Sequence, residues 1–314
     1  MKSSRRMAFG WLLSIFVVLA LATTVAAMWM TNAPMPDAVT RTPAAESING
    51  LLYIAGGIDA SGPTANLQVY NPATNTWALK SSMPAVRYDG DGAGVINGLL
   101  YVPGGWTQSP PLPNNTLFIY DPVADSWTSG ASMPQLSGCG ATGVISGKLY
   151  VTTPCNGFSG YPTILDVYDP VANSWTALAS PSVPHASPGF GVINGKLYVA
   201  GGLNSAGDVS NVLEVYDPIA NTWTTLEHMH TGVAYPASTV SCGRLYVIGG
   251  ITATTNEAIV QVYNPLTNTW TSATVLPTAN NSAGAGNVNC TIYVAGGTTS
   301  GGTVATNLSL KGCS

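Results

Sequence analysis

The chain has 314 residues, of which 14 are acidic and 10 are basic, so its formal net charge is −4. Charged residues make up 8% of the chain, against about 25% in an average soluble protein. Hydrophobic residues make up 46%, and there are 35 glycines and 22 prolines. This composition excludes a disordered polyelectrolyte, a coiled coil and a nucleic-acid-binding protein.

The first 27 residues have the pattern of an export signal. Lys2, Arg5 and Arg6 precede an uncharged apolar run, and Val25-Ala26-Ala27 provides small residues where a signal peptidase would cut. We therefore interpret residues 1–27 as a signal peptide and residues 28–314 as the exported domain, located in the periplasm, at the cell surface or outside the cell. An uncleaved membrane anchor is the alternative, because about 20 apolar residues span a bilayer.

Two short strings recur along the rest of the chain. The first is Tyr, then Asn or Asp, then Pro, followed five residues later by Trp77, Trp127, Trp175, Trp223 or Trp270. These tryptophans are separated by 50, 48, 48 and 47 residues. The second string, Tyr-(Ile/Val)-x-Gly-Gly, lies between them, except that the third unit has Thr153-Pro154 in place of the glycines. A unit of about 48 residues is therefore repeated.

Each unit predicts four short antiparallel strands. In the fourth unit, residues 190–193 and 196–200 are apolar strands joined by Asn194-Gly195, a strong two-residue hairpin signal. A third strand ends at Tyr216, and Asp217-Pro218 begins a compact turn into a fourth strand around Trp223. Such a sheet cannot bury both faces without a neighbour, so the repeat predicts the blades of a β-propeller.

The repeated strings closely resemble the kelch repeat, in which a Gly-Gly pair is followed by a Tyr and then a Trp at similar spacing. The resemblance covers residues 29–314 and implies an all-β fold in which the Tyr and Trp are core residues between blades. It implies little about activity, because the kelch family contains binding modules and a few enzymes.

The arithmetic of the repeat predicts six blades. The 287 residues from 28 to 314 contain six periods of about 48 residues. The last unit has only three strands, whereas Trp29 lies 48 residues before Trp77 and is followed by Met35-Pro36 at the offset seen in other units. We expect a six-bladed kelch-type β-propeller with four-stranded antiparallel blades, whose ring is closed by the N-terminal strand.

Five cysteines in an exported chain predict disulfides, with one cysteine left over. When the first two strands of the third unit are folded into a hairpin, Cys139 lies opposite the neighbourhood of Cys155, which predicts a bridge between them. Cys242 and Cys290 occupy matching turns, and Cys313 ends the last predicted strand. We expect Cys290 and Cys313 as a second pair, with Cys242 free. C-x-x-C spacing is absent, which argues against a metal at the cysteines.

The long connections of all units should meet at one end of the ring, which we call the long-loop face. They join the second strand to the third and each Trp strand to the next unit. Loops on a rigid scaffold commonly carry function, and aromatic rings beside polar groups suit sugars and peptides. The predicted binding residues of this face are Arg87, Tyr88, Trp106, Phe158, Tyr161, His185, Tyr235 and Glu257.

The sequence has no Ser/His/Asp order, Walker loop or Rossmann fingerprint, so we predict no catalytic residue, cofactor or metal. We interpret the protein as a monomeric exported module that binds a protein or a glycan, without nucleic acid, and with membrane contact only if residues 1–27 remain attached. One alternative is a carbohydrate-active kelch enzyme. A resemblance to sialate mutarotases would require Glu257 to pair with Arg87, and one to galactose oxidase a copper site of two His and two Tyr. A structural component of a cell-surface assembly is the second alternative.

Overall fold

The computed structural model describes residues 28–41, 43–90, 92–107, 112–155 and 161–312, and all regular structure in these residues is β-strand. The predicted export signal, Phe158 and Cys313 lie outside the described residues. Within the described part, no helix is long and apolar enough to cross a bilayer.

The strands are short, mostly of four or five residues. In chain order they are β1 (Met30–Thr31), β2 (Ala44–Ile48), β3 (Leu51–Ala55), β4 (Ile58–Asp59), β5 (Gly62–Pro63), β6 (Leu67–Asn71), β7 (Thr76–Lys80), β8 (Gly94–Ile96), β9 (Leu99–Pro103), β10 (Leu117–Asp121), β11 (Ser126–Gly130), β12 (Thr142–Ile145), β13 (Lys148–Thr152), β14 (Leu165–Asp169), β15 (Ser174–Ala177), β16 (Gly189–Ile193), β17 (Lys196–Ala200), β18 (Leu213–Asp217), β19 (Thr222–Thr225), β20 (Ala237–Ser241), β21 (Arg244–Ile248), β22 (Val260–Asn264), β23 (Thr269–Ser272), β24 (Gly284–Val288), β25 (Thr291–Ala295), β26 (Thr298–Thr299), β27 (Gly302–Thr303) and β28 (Asn307–Lys311).

These strands form six four-stranded antiparallel sheets, which we number as blades 1 to 6 along the chain. From the axis outward the blades are β2-β3-β6-β7, β8-β9-β10-β11, β12-β13-β14-β15, β16-β17-β18-β19, β20-β21-β22-β23 and β24-β25-β28-β1. The two small hairpins, β4-β5 and β26-β27, lie in the long connections between the second and third strands of blades 1 and 6. The second and third strands of each blade carry most of the buried apolar residues, and the outer strands are largely exposed. The predicted six-bladed architecture is confirmed.

The ring is closed by the N-terminal strand, as the sequence predicts. Met30 pairs with Ser309 and Thr31 pairs with Leu308, so β1 is the outer strand of blade 6. The Trp29 indole N–H donates a hydrogen bond of 2.9 Å to the carbonyl of Thr274 in blade 5. The first and last strands therefore share one sheet, and β28 is paired on both sides.

The repeated Tyr and Trp join each blade to the preceding one. In blade 1 the Trp77 indole N–H donates to the carbonyl of Ala33, and the hydroxyl of the buried Tyr70 donates to Asn75 Oδ1 at 2.8 Å. The same Asn75 oxygen accepts the backbone N–H of Ala33 at 2.8 Å. The equivalent groups recur in blades 2 to 5, with Asp125 replacing Asn in blade 2. The predicted core role of these aromatic residues is confirmed.

Blade 3 contains the predicted disulfide between Cys139 and Cys155. The prediction for the remaining cysteines is wrong, because Cys290 is an exposed free thiol and Cys242 is disulfide-bonded. The end of the chain explains this arrangement. Gly312 packs against Ser241 in blade 5, and its carbonyl accepts a hydrogen bond from the Tyr246 hydroxyl. Gly312 also donates its backbone N–H to the carbonyl of Cys290, so it lies between blades 5 and 6, beside the turn that carries Cys242.

Candidate binding site at the mouth of the central channel

Six residues, one from each connection between blades, form a rim around the channel on the long-loop face. All six have left-handed backbone, with φ between 42° and 64°, and they are Arg41, Asp89, Cys139, Ser187, Tyr235 and Ser282. The backbone N–H of Asp89 donates to the carbonyl of Arg41, and each later rim residue donates in the same way to the one before it, at 2.6 to 2.8 Å. Five hydrogen bonds thus run around the axis from blade to blade and hold the rim rigidly.

Charged and aromatic side chains converge at this rim. Arg41 Nη1 lies 3.4 Å from Asp89 Oδ2, and the Arg41 side chain is 49% exposed whereas that of Asp89 is 11% exposed. Tyr235 comes from the connection between blades 4 and 5, on the far side of the channel from Asp89. Burial and then the charge of Asp89 raise the pKa of Tyr235, against smaller opposing effects of a hydrogen bond with Ser187 and the charge of Arg41.

Two further tyrosines extend this group. Tyr161 contributes to the raised pKa of Tyr235, so the two side chains lie within electrostatic reach of each other. Burial and the charge of Asp89 raise the pKa of Tyr88, and Arg41 acts in the opposite direction. We call Arg41, Tyr88, Asp89, Tyr161 and Tyr235 the mouth cluster. It combines one accessible guanidinium, three tyrosine rings with hydroxyls and a largely buried carboxylate, groups that can bind polar and ring-shaped ligands together.

Below the rim, the phenyl side chain of Phe190 from blade 4 narrows the channel. A Cβ atom on Gly92 of blade 2, whose φ is +94°, would overlap the phenyl ring, so the side chain of Phe190 reaches past blade 3 to blade 2. The Phe190 backbone is tied to blade 5, because its N–H donates to Ser238 Oγ at 2.8 Å. Phe190 therefore narrows the cavity, which is lined by the rim residue Ser187 as well as by Glu46 and Asn287 further inside.

Of the predicted binding residues, Tyr88, Tyr161 and Tyr235 are brought together in the mouth cluster. Trp106 lies beside them, since its backbone N–H donates to the carbonyl of Tyr88 at 2.7 Å. Its indole is partly buried against Gly138, next to the rim residue Cys139. Four of the eight predicted residues thus lie in or beside one site.

Two predicted residues do not face the ligand side. Arg87 is 5% exposed and stacks over the Phe118 ring at 4.7 Å. Its guanidinium donates to the carbonyl of Val86 and to side chains of blade 2, and burial lowers its pKa to about 10. His185 is 3% exposed and is held by Gly201 and Glu214. Both side chains turn inward because the adjacent blades supply buried acceptors, so their prediction as exposed binding residues is wrong.

Glu257 is bonded within its own loop and does not pair with Arg87. Its Oε1 accepts a hydrogen bond of 2.8 Å from the Thr255 hydroxyl and a longer one from Thr252. The Arg87 guanidinium donates to the carbonyl of Val86 and to the side chains of Asn114 and Thr116 instead. Among the described residues, no three His, Cys, Asp or Glu side chains converge so that they could hold a metal ion. The pair of Glu257 and Arg87 that the sialate mutarotase alternative requires is therefore not formed.

The sequence reasoning missed Arg41. The signal lies in the alignment of the connections between blades, where Val39-Thr40-Arg41 corresponds to Arg87-Tyr88-Asp89. This alignment places opposite charges at equivalent rim positions of neighbouring blades, which predicts an ion pair. This equivalence is difficult to recognise in the sequence, because the segment before Arg41 belongs to blade 6 and not to blade 1.

The fold and the repeat define a kelch-type β-propeller, a scaffold consistent with an interaction module. A family model described as the attractin/LZTR1 β-propeller matches residues 52–300, and the chain belongs to this family of kelch-type propellers. Kelch-like protein 35 of Mus musculus is 27% identical over 125 residues, which cover 39% of this chain and 20% of that protein. The chain thus matches about a fifth of that relative's length. The structure of YjhT shares the fold, with a TM-score of 0.76 and 18% identity over 87% of this chain and 95% of that one.

Proposed function

We propose that this protein is an exported kelch-repeat binding module that recognises a protein or carbohydrate ligand through the mouth cluster on its long-loop face. The observation that carries the proposal is the convergence of Arg41, Asp89 and Tyr235 at the rim. Charged and aromatic groups from distant parts of the chain are held there by a rigid backbone ring, as a binding site requires.

The chemistry of the mouth cluster supports a ligand with both polar and ring-shaped surfaces. A guanidinium that is half exposed keeps free donor capacity for a carboxylate, a phosphate or a hydroxyl oxygen. Tyrosine rings offer large contact area at low cost in conformational entropy, and their hydroxyls add hydrogen bonds. A glycan or an extended peptide segment presents such surfaces.

The test is a survey of the purified protein against a glycan array and a library of extracellular proteins, followed by titration of the best ligand. Arg41→Gln should weaken binding about tenfold or more, because a charge-assisted hydrogen bond is lost. Lys196→Gln is a matched control, since Lys196 is 44% exposed and paired with Asp217 at 2.8 Å on the opposite face. Equal losses from the two substitutions, or none from Arg41→Gln, would contradict the proposed site.

Export through residues 1–27 is part of the proposal. N-terminal sequencing of the protein recovered outside the cytoplasm should begin at or near Met28. A membrane-bound product that keeps residues 1–27 would favour the anchor instead.

A structural role in a surface assembly has its own supporting observation. Four aliphatic side chains at equivalent turns of the opposite face are between 88% and 97% exposed, and they are Val123, Val171, Ile219 and Leu266. Exposed apolar groups at regular intervals suit contact with a repeated partner. If this role holds, replacing all four by Ser should abolish self-association or assembly and leave binding at the mouth cluster unchanged.

A further inference from the structure

At one position of the innermost strand, every blade except blade 1 has a small residue. The register of the hairpins aligns Glu46 of blade 1 with Gly94, Gly143, Gly191, Thr239 and Gly286 of blades 2 to 6. The only charged residue at this position is therefore Glu46, and the sequence shows it as Glu-Ser-Ile-Asn-Gly where blade 2 has Gly-Val-Ile-Asn-Gly.

The neighbouring blade explains the glycines. A Cβ atom on Gly94 would lie 2.6 Å from Leu149 Cδ1 and 2.7 Å from Val144 Cγ2 of blade 3. An added Cβ on Gly143 would meet the equivalent Val192 and Leu197 of blade 4 at 2.6 and 2.9 Å. A long side chain at this position conflicts with the packing that the other blades use. In blade 1, Glu46 is one of the residues that line a cavity of about 380 Å³ inside the channel.

Few groups in the cavity offset the cost of burying the Glu46 carboxylate. Within the described residues its hydrogen bonds come from Ser47 alone, from the backbone N–H at 2.8 Å and the hydroxyl at 3.5 Å. Glu46 is the only charged residue among those described as lining the cavity. Burial raises the pKa of Glu46, and the two hydrogen bonds from Ser47 offset this only in part. A carboxylate in this position is stabilised by a positive charge in the cavity.

Other groups around the cavity can complement a ligand. Thr142 Oγ1 and Asn287 Oδ1 are buried and have no hydrogen-bond partner among the described residues. Both residues line the same cavity as Glu46, and Thr142 is 3% exposed. Phe190 lines it too and provides an aromatic face. Buried polar atoms of folded proteins nearly always have a partner, so these oxygens point to a bound donor or ordered water.

We propose that the cavity of the central channel binds a small organic ammonium ion through the Glu46 carboxylate. A carboxylate and an aromatic ring in one cavity are the groups that recognise such cations. Calcium would need six to eight oxygen ligands at about 2.3 to 2.6 Å. The oxygens here come from blades 1, 3 and 6 around a cavity of about 380 Å³, so they cannot all reach one bare ion. That volume lies at the lower end of the range for small-molecule sites, about 300 to 1,000 Å³.

The test uses calorimetric titration of the purified full chain with choline at about pH 8, because a higher pH favours the ionised carboxylate. Saturable binding is expected. The neutral analogue 3,3-dimethyl-1-butanol has the same shape without the charge and should bind at least tenfold more weakly. Glu46→Gln should reduce choline affinity tenfold or more, whereas Asp59→Asn, in the β4-β5 hairpin of the same blade, should leave it unchanged.

Several results would overturn the proposal: no saturable binding of choline, equal affinity for the neutral analogue, or unchanged affinity in Glu46→Gln. Calcium binding that depends on Glu46 and displaces choline would assign the site to a metal. If Glu46→Gln fails to fold, Glu46→Gly restores the residue of blades 2, 3, 4 and 6 and provides the same comparison. Arg41→Gln should leave choline affinity unchanged, so failure at the mouth cluster and failure in the channel can be distinguished.

Discussion

His185 and Glu214 form an ion pair inside the propeller, with His185 Nε2 3.1 Å from Glu214 Oε2 and neither side chain more than 2% exposed. His185 Nδ1 lies 2.8 Å from the carbonyl of Gly201. Both ring nitrogens of His185 therefore face an oxygen atom, one of a backbone carbonyl and one of a carboxylate. Ser182 also donates to Glu214, so the pair fastens the connection between blades 3 and 4 to strand β18.

The first prediction concerns the stability of this pair. His185→Ala leaves the buried Glu214 carboxylate without its partner in the pair, and breaking a buried pair typically costs about 3 to 5 kcal/mol. Urea unfolding should therefore show a clearly lower midpoint. Asp217→Asn removes one partner of an exposed ion pair with Lys196 and should change the midpoint very little. Similar midpoints for the two variants would contradict the assignment.

The second prediction concerns how the contribution of Glu214 to stability depends on pH. Burial acts to raise the pKa of Glu214, but the hydrogen bonds from His185 and Ser182 and the charge of His185 outweigh it, and the pKa lies below its ordinary value. A lowered pKa in the folded state adds stability above the unfolded value of about 4.3, and this is lost as the pH falls through the folded value. The free energy of unfolding should therefore differ most between wild type and Glu214→Gln at neutral pH, and the difference should shrink below about pH 4. A constant difference down to about pH 3 would exclude this role.

The third prediction concerns the closure of the ring. Deleting residues 28–36 removes strand β1 and Trp29, and loss of a large aromatic residue from a core typically costs about 3 to 5 kcal/mol. Trp29 is only partly buried, so we expect Trp29→Ala to cost an amount at the lower end of this range. Trp29→Phe keeps most of the packing and removes the hydrogen bond to Thr274, which should cost about 1 kcal/mol. Equal stability of the deletion variant and the wild type, measured by urea unfolding, would refute the closure.

The fourth prediction concerns the cysteines. Alkylation of the unfolded, non-reduced protein should label one thiol, at Cys290, because Cys139, Cys155 and Cys242 are bridged. Peptide mapping identifies the site. Cys290→Ser should abolish labelling, whereas Cys242→Ser should add a second labelled thiol. A label at Cys242 in the wild type would restore the pairing expected from the sequence.

The fifth prediction concerns the aromatic residue in the channel. Gly92→Ala forces a Cβ onto the Phe190 ring at a φ of +94°, which adds overpacking of about 1 to 3 kcal/mol to the backbone strain. Gly98→Ala is the matched control, since Gly98 has a φ of +80° and no neighbour within 4 Å of an added Cβ. Urea unfolding should show the larger loss for Gly92→Ala. Adding Phe190→Leu should recover most of the excess, and a failure to do so would show that the two residues do not touch.

The sequence alone determined the architecture, because the interactions that build it recur in every unit. The link of Trp77, Tyr70 and Asn75 to the preceding blade appears five times at nearly constant spacing, so it is visible as a repeat. The same spacing revealed that Trp29 belongs to the last blade. The disulfide of Cys139 with Cys155 was also predictable, since a two-residue hairpin turn determines which residues of two strands face each other.

Only the tertiary structure decided which side chains of the connections face the ligand side and which turn inward. Arg87 and His185 occupy equivalent positions and are both buried, because blade 2 offers Asn114 and Thr116 and blade 4 offers Glu214. Arg41 and Tyr235 are nearly 200 residues apart and meet only because the ring brings every connection to one axis. Each of these contacts occurs only once among the described residues of the ring, so no repeated sequence pattern reveals it.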